Sequence, residues 1–368
     1  MAAGTSNRKS GRVLYIDLLR LLATFQMVQG HSLDAVLAEE LRAGWLFDRW
    51  TWVRGLTSVA FLFAAGISFH LATLTRFEAH RANPKAVARR VKRGLLLVGI
   101  GYLLHNPFGA VGGDAASWMA ALEHAAIVDV LQCIGVSILI LEALVVSLPS
   151  ARHVVWASVL LAALFIGSSP VTAGLTVAGP GAFLTNYLGN AGGSIFPLFP
   201  WAGYLFAGVV AGAVACPAGI PSFGRQSVVA LGGFALLVAF ASWAIAFVPY
   251  GAGAPNPGPG LLKLAAVVAL SAVLAGASLG MARLPRPLTI LAGETLIIYV
   301  VHIALLYGAG YGLAEVVGPT LGLGASLGVA AVMLVGSALL GLGWHRAKAR
   351  WSRADGRLPV FARRAKAG

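Results

Sequence analysis

The chain has 368 residues, of which 58% are hydrophobic and 11% charged, and its mean hydropathy is +0.82. A soluble domain carries roughly 25% charged residues, so this composition excludes an ordinary soluble protein and indicates an integral membrane protein. The net charge of +14 raises the question of a nucleic-acid partner, and the two cysteines exclude a disulfide framework.

Apolar stretches follow one another along the whole chain. Each is close to the length that crosses a bilayer core of about 30 Å. They predict an all-α fold, a polytopic integral membrane helical bundle with about ten transmembrane helices. The predicted spans are residues 13–31, 54–75, 91–106, 125–147, 153–169, 194–215, 228–249, 261–281, 288–311 and 322–344.

Basic residues concentrate on one side of these spans. The N-terminal segment, the segment after the second span and the C-terminal tail hold most of the 27 lysines and arginines. The positive-inside rule therefore predicts cytoplasmic termini and a multi-pass protein of the plasma (inner) membrane. Since topology and membrane lipids account for the charge, no nucleic-acid partner is expected. The predicted parts are a disordered cytoplasmic start (1–10), a transmembrane domain (11–344) and a basic cytoplasmic tail (345–368).

The first span carries three ionisable residues, Asp17, Arg20 and His31. At about 100° per residue all three lie on nearly the same helix face, and ~16 Å along the axis separates Arg20 from His31. Charges within a span are costly and usually mark a pathway, an ion pair or a site. Two interpretations remain open here. Asp17 and Arg20 form an ion pair that fixes helix packing, or the stripe holds an elongated ligand whose reactive end lies near His31.

Further polar residues lie near the outer ends of the predicted spans. Asp34 follows the first span, His105 ends the third, and Asp129 enters the fourth. If these ends converge, they supply carboxylates and imidazoles for general acid–base chemistry. No metal site is predicted, because the histidines form no His-x-x-x-His pair and the cysteines lack ligand spacing.

A basic cluster opens the third span, and two polar residues lie in the ninth. The cluster is Arg89, Arg90, Lys92 and Arg93. It is interpreted either as a topology anchor that contacts lipid phosphates or as a clamp for the phosphates of a nucleotide-like ligand. Glu294 and His302 lie ~12 Å apart along their helix, which is consistent with packing or with lining an interior cavity.

Five segments, in order, resemble signature motifs of the membrane acyltransferase superfamily, which includes the acyltransferase-3 proteins and the catalytic domain of heparan-α-glucosaminide N-acetyltransferase. They are Arg12-x4-Asp17-x2-Arg20-x10-His31, AFLFAAGIS (60–68), DVLQCIG (129–135), FPLFPWAGY (196–204) and TLIIYVVH (295–302). The resemblance covers most of residues 12–310. Leu21 stands where the family often has glycine, and Thr295 where it usually has serine.

The resemblance implies a membrane-embedded acyltransferase domain over residues 11–344. It would move an acyl group, by default acetyl, from cytoplasmic acyl-CoA to a hydroxyl or amine of a glycan, lipid-linked sugar or other envelope acceptor at the outer face. Acyl-CoA is then a co-substrate, and no tightly bound cofactor is expected. Neither the acceptor nor an oligomeric state is specified by the sequence.

The resemblance also implies roles for the residues singled out above. His31 is expected to act as general base on the acceptor or to carry the acyl group transiently, which leaves direct and two-step transfer open. The other expected catalytic residues are Asp34, Asp129 and His105. The expected acyl-CoA-binding residues are Asp17, Arg20, Arg89, Arg90, Lys92 and Arg93. The expected cavity-lining residues are Glu294, Tyr299, His302 and Trp201.

Two other function classes remain open at this point. Intramembrane Asp, Arg and His also build proton relays, as in a proton-coupled transporter or flippase. The chain shows no internal repeat of the kind common in such transporters. A non-catalytic membrane partner in envelope assembly is the third class, and it predicts no acyl-CoA binding.

Overall fold

The computed structural model describes residues 12–105, 115–250, 254–308 and 311–354. Within these ranges the chain is helical, without β-strands, and Leu37 and Leu321 form an isolated parallel bridge. The α-helices in these ranges are α1 (Leu14–Val36), α2 (Trp45–Arg54), α3 (Leu56–Ala72), α4 (Phe77–Arg81), α5 (Pro84–Leu104), α6 (Ala115–Ala125), α7 (Val130–Ser147), α8 (Ala151–Gly167), α9 (Ser169–Thr172), α10 (Ala182–Leu188), α11 (Leu198–Ala215), α12 (Arg225–Ile245), α13 (Gly258–Leu279), α14 (Arg286–Leu291), α15 (Thr295–Tyr307), α16 (Leu313–Val316) and α17 (Leu323–Ala354). Short 3-10 helices cover Glu39–Leu41, Leu74–Arg76, Gly179–Gly181 and Ile220–Ser222.

Each predicted span overlaps at least one of these helices, so the all-α prediction is confirmed. Six helical segments of the described chain are long and apolar enough to cross a membrane: Trp45–Arg81, Val130–Ser147, Leu198–Ala215, Arg225–Ile245, Gly258–Leu279 and Leu323–Trp351. The count of ten spans and the cytoplasmic location of both termini stay predictions. The predicted disordered start lies outside the described residues, as do residues 355–368 of the predicted tail.

The chain divides into two compact units. The first comprises Met1–Leu19 and Gly55–Ala282, and the second comprises Arg20–Arg54 and Arg283–Gly368. The division falls within α1, so the first turns of this helix belong to the first unit and the part that carries His31 belongs to the second. The first unit therefore holds α3 to α13, and the second holds α2 and α14 to α17.

In the first unit, α11 packs against α3 and α8, α5 against α7, and α12 against α13. Glycine allows the α3–α11 contact, because a Cβ on Gly66 would overlap the backbone oxygen of Leu205 and one on Gly208 would overlap that of Phe63. Small residues of this kind let helix backbones approach closely. The core beside this contact includes Phe63 and Phe206, both fully buried.

In the second unit, α15 packs against α17. The end of α1 is tied to the segment before α17 by two backbone hydrogen bonds, in which Ala38 donates to Leu321 and Leu321 donates to Val36. The hydroxyl of Tyr307, at the end of α15, donates to the backbone oxygen of His31 at 3.1 Å. These contacts position the C-terminal half of α1 against α15.

Candidate functional site

The second unit brings together two histidines that the sequence places in different spans. His31 Nδ1 lies 3.0 Å from His302 Nε2, and the two rings stack with centroids 5.2 Å apart. His302 is 1% exposed, and its Nδ1 lies 2.8 Å from the backbone oxygen of Ile298. The structure therefore joins the residue predicted to be catalytic to one predicted only to line a cavity.

The hydrogen bonds assign the tautomers of this pair. A carbonyl oxygen only accepts, so His302 Nδ1 carries the hydrogen that it donates to Ile298. In the neutral ring, the remaining nitrogen, His302 Nε2, is then an acceptor. His31 Nδ1–H then donates to it, and the basic lone pair of His31 lies on Nε2. An imidazole in this form can accept a proton or attack a carbonyl carbon.

Aromatic rings surround the histidine pair. Tyr307 lies edge-on to His31 with a centroid distance of 6.1 Å, and Tyr299 lies edge-on to His302 at 5.7 Å. Tyr299 was predicted to line a cavity, whereas Tyr307 was not singled out in the sequence. The hydrogen bond from Tyr307 to the His31 backbone adds a second restraint on the position of α1 at this turn.

Asp34 lies one helical turn after His31 and pairs with Arg54 of α2. The Arg54 guanidinium also lies 5.1 Å from the centroid of the Trp50 ring. The aliphatic part of the Arg54 side chain crosses α1 at Gly30, where an added Cβ would lie 2.9 Å from Arg54 Cδ. Sequence reasoning missed Arg54, although a charge at the start of an apolar span was a signal for it. The catalytic role expected for Asp34 stays a prediction.

The two charges that precede His31 on α1 fall in different units. In the first unit, Asp17 Oδ2 lies 3.4 Å from Arg12 Nη1. Arg20 belongs to the second unit, where the hydroxyl of Thr24 donates to its backbone oxygen at 2.8 Å. The expectation that Asp17 holds Arg20 therefore stays a prediction.

His105 and Asp129 lie together in the first unit. His105 Nε2 is 3.5 Å from Asp129 Oδ2, an ion-pair distance rather than a hydrogen bond. Asp129 caps α7, because its Oδ1 accepts from the backbone of Val130 at 2.6 Å and its own N–H donates to Gln132 Oε1 at 3.1 Å. The cap fixes the carboxylate beside His105, and the catalytic roles of both residues stay predictions.

Three of the four predicted phosphate-binding residues line one cavity of about 490 Å³ in the first unit. Its lining comprises Ala72, Arg76, Ala79, His80, Ala86, Arg89, Arg90 and Arg93. Arg90 is held in place, since its Nη2 donates to the Thr73 hydroxyl at 2.7 Å. Burial lowers the pKa of the Arg90 guanidinium, and the charge of Glu142 opposes this effect. Lys92, the fourth predicted residue, is exposed and is not among the lining residues.

A hydrogen bond between a histidine and a buried carboxyl group adjoins this cavity. His80 Nε2 lies 2.7 Å from Glu142 Oε1, and Glu142 is 2% exposed within α7. Neither residue was proposed for a site from the sequence. The sequence contained a signal for Glu142, because this residue is a carboxylate inside an otherwise apolar predicted span. Such residues usually mark an ion pair or a site.

The remaining predicted cavity-lining residues, Trp201 and Glu294, lie in different units. In the first unit, the Trp201 ring packs edge-on to Phe196 and Tyr204, with centroid distances of 4.6 and 5.6 Å. In the second, Glu294 accepts from Lys348 Nζ at 2.6 Å and lies 3.1 Å from His345 Nδ1. Glu294 thus ties the start of α15 to α17. That Trp201 or Glu294 lines a substrate cavity stays a prediction.

Comparison with known proteins identifies one matching family. The model of the heparan-α-glucosaminide N-acetyltransferase catalytic domain matches residues 12–247, which is more than half of the chain. The matched range contains His31, Asp129 and the arginine-lined cavity, whereas His302 lies beyond it. Among proteins of curated function, none matches the chain.

Proposed function

Since the chain belongs to the heparan-α-glucosaminide N-acetyltransferase family of membrane acyltransferases, we propose that it transfers an acetyl group from acetyl-CoA to a hydroxyl or amine acceptor. The donor binds from the cytoplasm, and the acceptor is a glycan or another envelope component at the outer face of the inner membrane. The observation that carries this proposal is the hydrogen bond from His31 to His302, because it leaves the basic lone pair of His31 on Nε2.

Two routes use this lone pair. In direct transfer, His31 Nε2 takes the acceptor's proton while the acceptor oxygen or nitrogen attacks the thioester carbonyl. The carbon–sulfur bond breaks, and the imidazolium returns the proton to the leaving thiolate. In two-step transfer, Nε2 attacks the thioester and the thiolate leaves. The acetyl-imidazolium then passes its acetyl group to the acceptor, whose proton goes to the thiolate. In both routes His302 is a positioning residue that acts through His31.

Arg89, Arg90 and Arg93 are the proposed ligands of the donor's phosphates. The support is that they line one cavity and that a guanidinium matches two phosphate oxygens at once. In this proposal Lys92 contacts a lipid phosphate, because its side chain is exposed and does not line the cavity. The proposal that the pantetheine arm of the donor runs past Arg20, with Asp17 holding Arg20, rests on the resemblance of their motif.

The test is acetyl labelling of envelope components. Membranes that contain the protein are incubated with radiolabelled acetyl-CoA, and the labelled component is isolated. The His31→Ala protein should lose transfer by about 10²- to 10⁴-fold, the range that a general acid–base group contributes. His153→Ala is the matched control, because His153 contacts Ser150 at the protein surface. Full labelling by correctly folded His31→Ala protein would refute the assigned role.

The family match does not favour the transporter alternative. Solute flux that proceeds without acetyl-CoA, together with an absence of acetyl-CoA binding, would reverse this preference. The same membranes serve for both measurements, so the two functions are compared on one preparation.

A further inference from the structure

The arginine-lined cavity contains a histidine whose orientation is fixed by a buried carboxylate. His80 lies at the end of α4 and lines the cavity, and its Nε2 is 2.7 Å from Glu142 Oε1. Glu142 is 2% exposed, and within the described chain its Oε2 has no hydrogen-bond partner. An ionised carboxylate only accepts, so Nε2 carries the hydrogen of this bond. The ring nitrogen that remains for a ligand is Nδ1.

The charges around this histidine favour an anion. Arg90 donates a hydrogen bond to the Thr73 hydroxyl, and its guanidinium interacts electrostatically with Glu142. The other three arginines of the lining, Arg76, Arg89 and Arg93, have no carboxylate partner among the residues that the structure describes. The cavity therefore has an excess of positive charge.

We propose that His80, oriented by Glu142, binds the 3′-phosphate of CoA together with Arg76. This inference rests on the proposed function, since it assumes that CoA is the donor. With Nε2–H donated to Glu142, the imidazolium form presents Nδ1–H to a phosphate oxygen and lies between two anions. Arg76 provides a second charged donor at the same lining.

A terminal phosphate suits this arrangement better than a bridging one. A phosphomonoester carries a charge of about −1.5 to −2 at neutral pH and three strong acceptor oxygens. Each phosphate of the CoA pyrophosphate carries one charge and has oxygens committed to bridging bonds. The monoester thus gains most from a site with several separate donors. Arg89, Arg90 and Arg93 remain for the pyrophosphate, in accord with their role in the proposed function.

The experiment compares CoA with 3′-dephospho-CoA, which lacks only that phosphate. Binding of both is measured by calorimetry to the full-length protein purified in lipid-free detergent. The wild-type protein should bind CoA more tightly by about tenfold or more, as expected for charge-assisted hydrogen bonds. In His80→Gln and in Glu142→Gln, this preference should fall to about threefold or less, while affinity for dephospho-CoA stays near wild type.

Two comparisons separate positioning from a merely structural role. The control His153→Gln should keep the wild-type preference, because His153 lies on the surface beside Ser150. In the double variant, Glu142→Gln should add nothing to His80→Gln, since Glu142 acts through His80. The affinity for dephospho-CoA also reports whether each variant is folded. Should Glu142→Gln fail to fold, His80→Gln and Arg76→Gln alone decide the matter.

The outcomes separate the inference from the function on which it rests. If CoA binds the wild-type protein but the preference is unchanged in His80→Gln, the phosphate assignment is wrong and the proposed function stands. If the wild-type protein binds neither CoA nor acetyl-CoA, both are wrong. If vesicles of phosphatidic acid bind the wild-type protein but not His80→Gln, while the wild-type protein binds CoA and dephospho-CoA equally, the site binds a lipid phosphate and the assignment to the 3′-phosphate of CoA is overturned.

Discussion

His31 Nδ1 lies 3.0 Å from His302 Nε2, within hydrogen-bond distance, although 271 positions separate the two residues in the chain. His302 in turn donates to the backbone oxygen of Ile298, one turn earlier in α15. The backbone of one helix therefore determines which nitrogen of a histidine on another helix holds the lone pair. This contact links the histidine of the motif in the first span to a residue outside the range that the family model matches.

Replacing His302 should lower the transfer rate without removing it. His302→Leu takes away the acceptor for His31 Nδ1–H, so both tautomers of His31 become populated. We expect kcat to fall by about 10- to 100-fold, by analogy with the loss of a group that orients a metal-bound histidine. His302→Gln should lose less, because its amide oxygen can accept the same hydrogen. Acetyl transfer from labelled acetyl-CoA measures both, and a wild-type kcat in His302→Leu would contradict the positioning role.

The Asp34–Arg54 pair should couple weakly in stability. Both side chains are about one-third exposed, at 32% and 30%, so solvent screens their attraction. A double-mutant cycle with Asp34→Asn and Arg54→Gln should give a coupling energy of about 1 kcal/mol or less. Thermal unfolding of the four proteins in detergent provides the measurement. A coupling energy several times larger would show that the pair is desolvated, in disagreement with its exposure.

Substituting Gly208 should destabilise the first unit. A Cβ at this position would overlap the backbone oxygen of Phe63, and backbone cannot move aside as a flexible side chain can. We expect Gly208→Ala to cost about 1–3 kcal/mol, as overpacking usually does. The matched control is Gly232→Ala in α12, where an added Cβ meets nothing within 4 Å. The control should be neutral or stabilising, because alanine favours a helix interior. Equal thermal midpoints for the two variants would argue against the α3–α11 contact.

Cys216, which follows the last residue of α11, should resist alkylation near neutral pH. Burial raises the pKa of its thiol to about 11, and a hydrogen bond with Ser227 opposes part of this effect. Because the thiolate is the reactive form, the rate should rise as the pH increases toward that value. Maleimide labelling followed by mass spectrometry should show slow reaction in the native protein and fast reaction after denaturation. Rapid native labelling at pH 7 would show that the thiol is accessible and ionised.

The sequence predicted those site residues that stand out from their neighbours in the chain, and it missed those whose importance comes from tertiary contacts. His31 stood out because an ionisable residue inside an apolar span is costly and because it belongs to a spaced motif. Arg89, Arg90 and Arg93 stood out as a run, and the structure places all three in one lining. His80 did not stand out, since a histidine in a basic segment looks ordinary. Arg54 and Tyr307 were also missed, because their relevance comes from contacts with α1.

The sequence by itself determined that this is an all-helical membrane protein, because a bilayer demands long apolar runs whose backbone groups bond within the segment. It also determined the family, through motifs whose residues lie close together in the chain. Only the tertiary structure decided the partners of the two histidines that carry the proposals, His302 for His31 and Glu142 for His80. These partners lie 271 and 62 positions away. Helical periodicity relates residues on one helix, whereas packing alone relates residues on different helices.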